Sequence, residues 1–190
     1  MQTPTHVLIA AAAFARPGIA RINAAALAGG FLPDAFLFAV WGASKIAGVP
    51  ENDLWTSVYW SDGVQLGQAI SNSFPLFALV LAGALLLRSR TGAVFAGAAL
   101  IHLVCDFLLH ANDAHQHFWP FSQWRFESPI SYWDPAHFGA IVAVIEAALA
   151  LALIVVLVRR FRRRWIRVAL ILSGLIYLAV PAYFLLAFDG

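Results

Sequence analysis

Six apolar runs divide this chain, at about 4–16, 22–46, 64–87, 92–110, 137–158 and 165–187. Most contain the ~20 residues that a helix needs to cross a ~30 Å hydrocarbon layer. In lipid every backbone N–H and C=O must be satisfied inside the protein, so such runs are expected to be helices. The composition agrees: 62% of residues are hydrophobic and 12% charged, against about 45–50% and about 25% in soluble domains. The expected fold is therefore all-α, a polytopic membrane helical bundle of about six helices, as a single domain over residues 1–190. The first run is short and reads as a half-span or a tilted helix. It has no basic stretch before it and contains His6, so it reads as a retained helix and not as a cleaved signal. The single cysteine, Cys105, lies inside an apolar run and reads as an inert core residue.

Charge placement orients the bundle. Arg16 and Arg21 lie between the first two runs, Arg88 and Arg90 between the third and fourth, and Arg159, Arg160, Arg162, Arg163, Arg164 and Arg167 between the last two. With six crossings these connections share one side, and the positive-inside rule makes it cytoplasmic. Glu51, Asp53, Asp62, Asp113, Glu127 and Asp134 then fall in the two long connections on the other side, 47–63 and 111–135. The second of these is expected to be a long periplasmic loop. Both are rich in aromatic residues, among them Trp55, Trp60, Trp119, Trp124 and Trp133. Such rings favour the headgroup level, so the loops are expected to lie on the outer surface as a lid. The pI near 9.0 does not imply a nucleic-acid partner: RRFRRR at 159–164 reads as a topology signal touching anionic lipid.

Polar residues that bind metals are expensive in hydrocarbon, yet HLVCDFLLHANDAHQH at 102–117 holds four of the six histidines. His102, Asp106 and His110 are spaced i, i+4, i+8, within roughly 80° of arc on a helix. Imidazole nitrogen and carboxylate oxygen are ligands that Zn²⁺ accepts. Asp113, His115 and His117 follow at once, although their alternate spacing also suits a surface or pH-sensing role. Asp34 follows Pro33 and the pair Gly29-Gly30, a pattern that can interrupt a membrane helix beside a cavity. His6 and His137 sit near the outer ends of their helices. Glu146 lies about two and a half turns deeper than His137 and reads as a supporting acid.

Taken together, PTH at 4–6, LPD at 32–34, HLVCD at 102–106 and WPFSQWRF at 119–126 resemble the YdjM-like inner-membrane metal-dependent hydrolases. The likeness covers about residues 3–127. That family is in turn remotely similar to zinc-dependent phospholipase C and P1 nuclease, all-helical enzymes that hydrolyse phosphoesters with clustered zinc. The resemblance implies that His6, Asp34, His102 and Asp106 are metal ligands. It also shows a departure: where the family carries T-H-S, this chain reads Ser71-Asn72-Ser73, so Asn72 stands at a ligand histidine's place and HANDAHQH is the candidate replacement.

The expectation is a hydrolase of the bacterial inner membrane using Zn²⁺ or another divalent transition metal, its site facing the periplasm. The candidate ligands are His6, Asp34, His102, Asp106, His110, Asp113, His115, His117 and His137. Asp34 or Asp106 would bridge metals or orient water, and Arg125 would pair with phosphate through its forked donors. The expected partners are membrane lipid and a lipid-like or phosphorylated small molecule. Two other classes fit the same residues: a metal-ion transporter or sensor, and a non-catalytic scaffold that has lost a ligand histidine. No Gly-rich nucleotide loop and no serine or cysteine nucleophile signature is present.

Overall fold

The computed structural model describes residues 1–188, with side chains described through residue 179. The described residues form helices joined by loops, with no strand among them. In chain order these are α1 (Thr3–Phe14), α2 (Ala20–Ile46), α3 (Glu51–Asp53, running into a π-helical turn at Leu54–Val58), α4 (Asp62–Ser71), α5 (Phe74–Leu86), α6 (Arg90–Leu109), α7 (Gly139–Arg160) and α8 (Arg164–Phe188). A 3₁₀ turn at Pro135–His137 leads into α7.

Among the described residues four stretches are long and apolar enough to cross a membrane: Ala20–Ile46, Asp62–Leu86, Arg90–Leu109 and Gly139–Arg160. The 12 residues of α1 extend only about 18 Å, too short to span. The last apolar run, 165–187, falls within α8, and its side chains from residue 180 on lie outside the described residues. The run 64–87 is not one helix. It breaks at Asn72, where α4 stops, and restarts at Ser73, whose Oγ accepts from Leu76 N–H at 3.2 Å and caps α5. An N-cap serine satisfies an amide that has no partner inside the helix.

Small residues set the helix spacing. A Cβ on Gly29 would stand 2.1 Å from the Phe95 carbonyl oxygen, and one on Gly30 would stand 2.8 Å from the Ala10 Cβ. So α2 meets α6 on one side and α1 on the other at near backbone contact, and the fully buried Ala96, Ala98 and Ala99 of α6 continue the seam. Packing of this kind takes the place of the hydrophobic effect between helices in lipid. The Gly-Gly-x-x-Pro pattern does not interrupt α2, which runs through Pro33. Its glycines serve helix contact instead.

Helix α1 lies parallel to α7, packed through Leu8, Ala11 and Ala15 on Ala150, Ile154 and Leu157. Side chains of α7 hold both its ends. Glu146 accepts from Gln2 N–H at 2.8 Å and from the Thr5 hydroxyl at 2.6 Å. Arg160 donates to the Ala12 and Ala15 carbonyls at 2.6 and 3.0 Å. These are the orphan amides and carbonyls that every helix end leaves. The outward faces of α5, α7 and α8 expose large apolar side chains such as Leu79, Val144, Ile145 and Ile176.

Candidate metal centre

Asp106 is the hub. It is 1% exposed on α6, one turn after His102 and one before His110. Its Oδ1 lies 2.9 Å from His6 Nε2 and 3.4 Å from His110 Nε2, and its Oδ2 lies 2.9 Å from His102 Nε2. Asp34 adds an oxygen 3.5 Å from His102 Nε2 and is itself held by the Thr3 hydroxyl. The Met1 amino nitrogen stands 3.1 Å from Asp106 Oδ1. Among the described residues two sets of side chains offer ligand atoms mutually within 4.8 Å: His6, His102 and Asp106, and Asp106, His110 and His115. Asp106 belongs to both.

The residues fit a metal. Ligands about 2.0–2.1 Å from a tetrahedral Zn²⁺ stand about 3.3 Å apart, and the separations around Asp106 bracket that value. The tautomer of His102 also fits. Its Nδ1 donates to the Gly30 carbonyl at 2.8 Å, which leaves a lone pair on Nε2. That Nε2 is buried and makes no hydrogen bond despite its short distance to Asp106 Oδ2. A bare nitrogen facing a carboxylate needs a cation or a proton between them. A histidine that ligates through one nitrogen and donates to a carbonyl from the other is the usual arrangement at metal sites. Pro33 lacks the N–H that the Gly29 carbonyl would receive, and the next carbonyl along, that of Gly30, is the one that meets the imidazole. The His6 and His102 rings stack with centroids 3.6 Å apart.

The long loop folds back into the bundle. Phe74 N–H donates to the His117 carbonyl at 2.8 Å, and the Ser73 hydroxyl donates to the Trp119 carbonyl at 2.6 Å. The loop therefore docks on the α4–α5 break, and His115 and His117 are buried at 7% and 2% exposure instead of lying on the surface. Among these loop groups the electrostatics diverge. Burial lowers the pKa of His110, yet the carboxylates of Asp106 and Asp113 carry it up to about 9. Burial and the positive charges of His110 and His117 push His115 down to about 3. Burial also lowers His117. Asp113 sits 2.9 Å from His110 Nδ1 and accepts from the Trp133 indole at 3.0 Å. Burial works to raise Asp113, but His110 overrides it and holds it below the usual carboxylate value.

Not every candidate joins the cluster. His137 pairs with Asp134 at 2.8 Å in the 3₁₀ turn, and its side chain is one-third exposed. Arg125 spends its fork on the Ala114 carbonyl and Gln65 Oε1, at 2.6 and 2.8 Å. It orders the segment that carries His115 and does not line the cavity described next.

A cavity of about 780 Å³ opens over the cluster, with Asp34, His110, Asp113 and His115 on its polar side. Its walls are aromatic, from Phe38 and Trp41 of α2, Trp55, Tyr59 and Trp60 of the first long connection, and Tyr132 and Trp133 of the second. Burial and the nearby Asp113 push the Tyr59 phenol up to about 12, so it stays neutral. Gln68 carries no signal in the sequence, whereas Thr3 and Thr5 precede His6 in TPTH and Tyr59 and Tyr132 belong to the aromatic residues of the two long connections.

The chain matches no protein-family model, no curated protein and no solved structure.

Proposed function

We propose that this chain is a membrane-embedded metal-dependent hydrolase of the bacterial inner membrane, acting on a phosphoester of a lipid or another amphiphile at the periplasmic face. The observation that carries the reading is Asp106, a buried carboxylate shared by imidazoles from α1, α6 and the long loop beneath an aromatic-walled cavity. His6, Asp34, His102 and Asp106, the residues that the YdjM-like resemblance nominates, would hold one ion. Asp106, His110 and His115 would hold a second. The arginine-bearing connections lie at the opposite end of the bundle from the cluster, which supports a periplasmic site under the positive-inside rule. With α8 as a further span and α1 as a half-span beside α7, the four long apolar stretches would extend to about six membrane helices.

A bound Zn²⁺ or similar ion would lower the pKa of water toward ~7 and balance charge on a phosphoryl oxygen. The residues do the rest. Thr3 and Gly30 fix Asp34 and His102, and Asp106 is shared between the two sets. Among the described residues no Lys or Arg lines the cavity, so a phosphate there must be balanced at the histidine–carboxylate end. The aromatic walls suit the apolar part of an amphiphile and exclude water from it. A transporter would spread ligands through the membrane depth, whereas these gather at one end.

The test is metal content by mass spectrometry on purified protein, together with phosphate release from phospholipid and polyprenyl phosphate. Wild type is expected to carry metal and to hydrolyse one of these substrates, and Asp106→Asn to lose both properties. Negligible metal in wild type and His102→Ala alike would sink the reading.

A further inference from the structure

Helix α1 packs between α2 and α7, and it begins well below the outer ends of both. Its first turn is pinned at one depth. Glu146 of α7 accepts from Gln2 N–H at 2.8 Å, and Asp34 of α2 accepts from the Thr3 hydroxyl. From that level α7 continues outward to Gly139 and α2 to Ile46, about 10 and about 18 Å at the helical rise. The space over α1 is therefore flanked by two helices and filled by neither.

The aromatic cavity occupies this space. Gln2 and Thr3 form its floor, and Leu37, Phe38 and Trp41 of α2 form one wall. Tyr132 and Trp133, in the segment that leads into α7, form another. Phe38, Trp41 and Trp133 are 49%, 43% and 53% exposed, so these walls are open at their edges. At the rim Lys45 pairs with Glu51, and its amine stands 5.7 Å from the centre of the Trp41 ring. A tryptophan beside charged groups at a helix end marks the headgroup level. Phe38 lies about one turn deeper than that rim, and Asp34 lies about 10 Å deeper. The wall between them is thus at hydrocarbon depth and carries no charge. The ionisable lining groups, Asp34, His110, Asp113 and His115, gather instead beside Asp106.

An occupant must match both parts, with a polar head beside Asp106 and an uncharged chain along α2. A water-soluble phosphoester matches only the first. A lipid in the adjoining leaflet matches both, and its chain need not leave hydrocarbon to reach the wall. We propose that the opening over α1, between α2 and the Tyr132–Trp133 segment, is a lateral doorway that holds one hydrocarbon chain of a phospholipid whose headgroup turns in toward Asp106. As a substrate site the doorway rests on the hydrolase reading and narrows its substrate to a lipid that keeps its chains. As a lipid site it stands without that reading.

The test places the photoreactive residue p-benzoylphenylalanine at Phe38 or, as a reference on the outward face of α5, at the exposed Leu79. Full-length protein is reconstituted with phosphatidylethanolamine and phosphatidylglycerol, exchanged into dodecyl maltoside, illuminated and weighed by mass spectrometry. A chain held in the doorway survives the exchange, so position 38 is expected to carry several-fold more phospholipid adduct than position 79. Leu37→Asp puts a charge on the wall between Asp34 and Trp41 and is expected to bring the adduct at position 38 down to the level at 79. Should that variant fail to fold, the comparison of the two positions decides by itself. Detergent adducts alone at 38, equal phospholipid at both positions, or an undiminished adduct in folded Leu37→Asp would overturn the doorway. Metal counting on the same samples keeps the two readings apart. Phospholipid held at 38 in protein without metal would uphold the doorway as a lipid site and sink the hydrolase. Bound metal with detergent alone at 38 would overturn the doorway and leave the hydrolase standing.

Discussion

The Gly30 carbonyl accepts a hydrogen bond from His102 Nδ1 at 2.8 Å, and the same glycine lets α1 pack against α2. One residue therefore sets both the tautomer of a candidate ligand and the spacing of the helix that carries His6. A methyl group at this position would meet the Ala10 Cβ at 2.8 Å and the His6 carbonyl at 3.2 Å. Gly30→Ala is expected to push α1 outward, parting His6 from His102. Overpacking of this kind costs about 1–3 kcal/mol, and displaced support around a ligand typically costs about 10–100-fold in metal affinity. Zn²⁺ titration of the detergent-solubilised variant checks it, and unchanged affinity with an unchanged melting temperature would count against the role given to Gly30.

Glu146 and Thr5 make a second support for His6. Thr5 is 0% exposed, and its hydroxyl lies 2.6 Å from both Glu146 Oε1 and the Tyr177 hydroxyl. Thr5→Val keeps the shape and removes the hydroxyl, leaving a buried carboxylate one donor short. A loss of about 1–3 kcal/mol is expected, read as a lower thermal midpoint in detergent. Because the Gln2 amide still bonds Glu146, the variant is expected to fold and to retain metal more weakly than wild type.

Much of this arrangement was legible in the sequence, and the limits have physical causes. The i, i+4, i+8 spacing of His102, Asp106 and His110 placed them on one stripe because helix geometry is local. Asp34 and His6 were nominated by resemblance and by depth. The burial of His115 and His117 was not legible, because it depends on the loop docking at Asn72–Ser73, a long-range contact that no periodicity encodes. The α4–α5 break was hidden for a related reason: Asn72 and Ser73 interrupt an otherwise apolar run too briefly to divide it. Arg125 reads as a phosphate ligand in sequence because a guanidinium is a good one. The fold instead gives its fork to the Ala114 carbonyl and Gln65, which spacing alone does not reveal.

That placement of Arg125 makes its own prediction. Arg125→Met keeps the apolar stem and removes the donors, so Ala114 and Gln65 lose their partner and the segment bearing His115 loosens. Occupancy by the ion of the Asp106, His110 and His115 set is expected to fall, while the His6, His102 and Asp106 set keeps its ion. Metal counting at limiting Zn²⁺ separates the two, and equal loss from both sets would show that Arg125 acts on the whole bundle.

The pH dependence of the metal-free protein turns on His110. Its folded pKa of about 9 lies above the ordinary 6.5, so the folded state holds the proton more tightly than the unfolded chain. The resulting stability is fully present below pH 6.5 and is lost as pH rises through about 9. The shift corresponds to about 3 kcal/mol. Thermal midpoints of chelator-treated protein are therefore expected to fall between pH 6 and pH 9.5 by more in wild type than in His110→Asn, where this group cannot titrate. A metal bound at His110 would replace the proton, so loading at neutral pH is expected to release protons and to flatten the same curve. Identical pH profiles for wild type and His110→Asn would show that the charge on His110 contributes nothing to the fold.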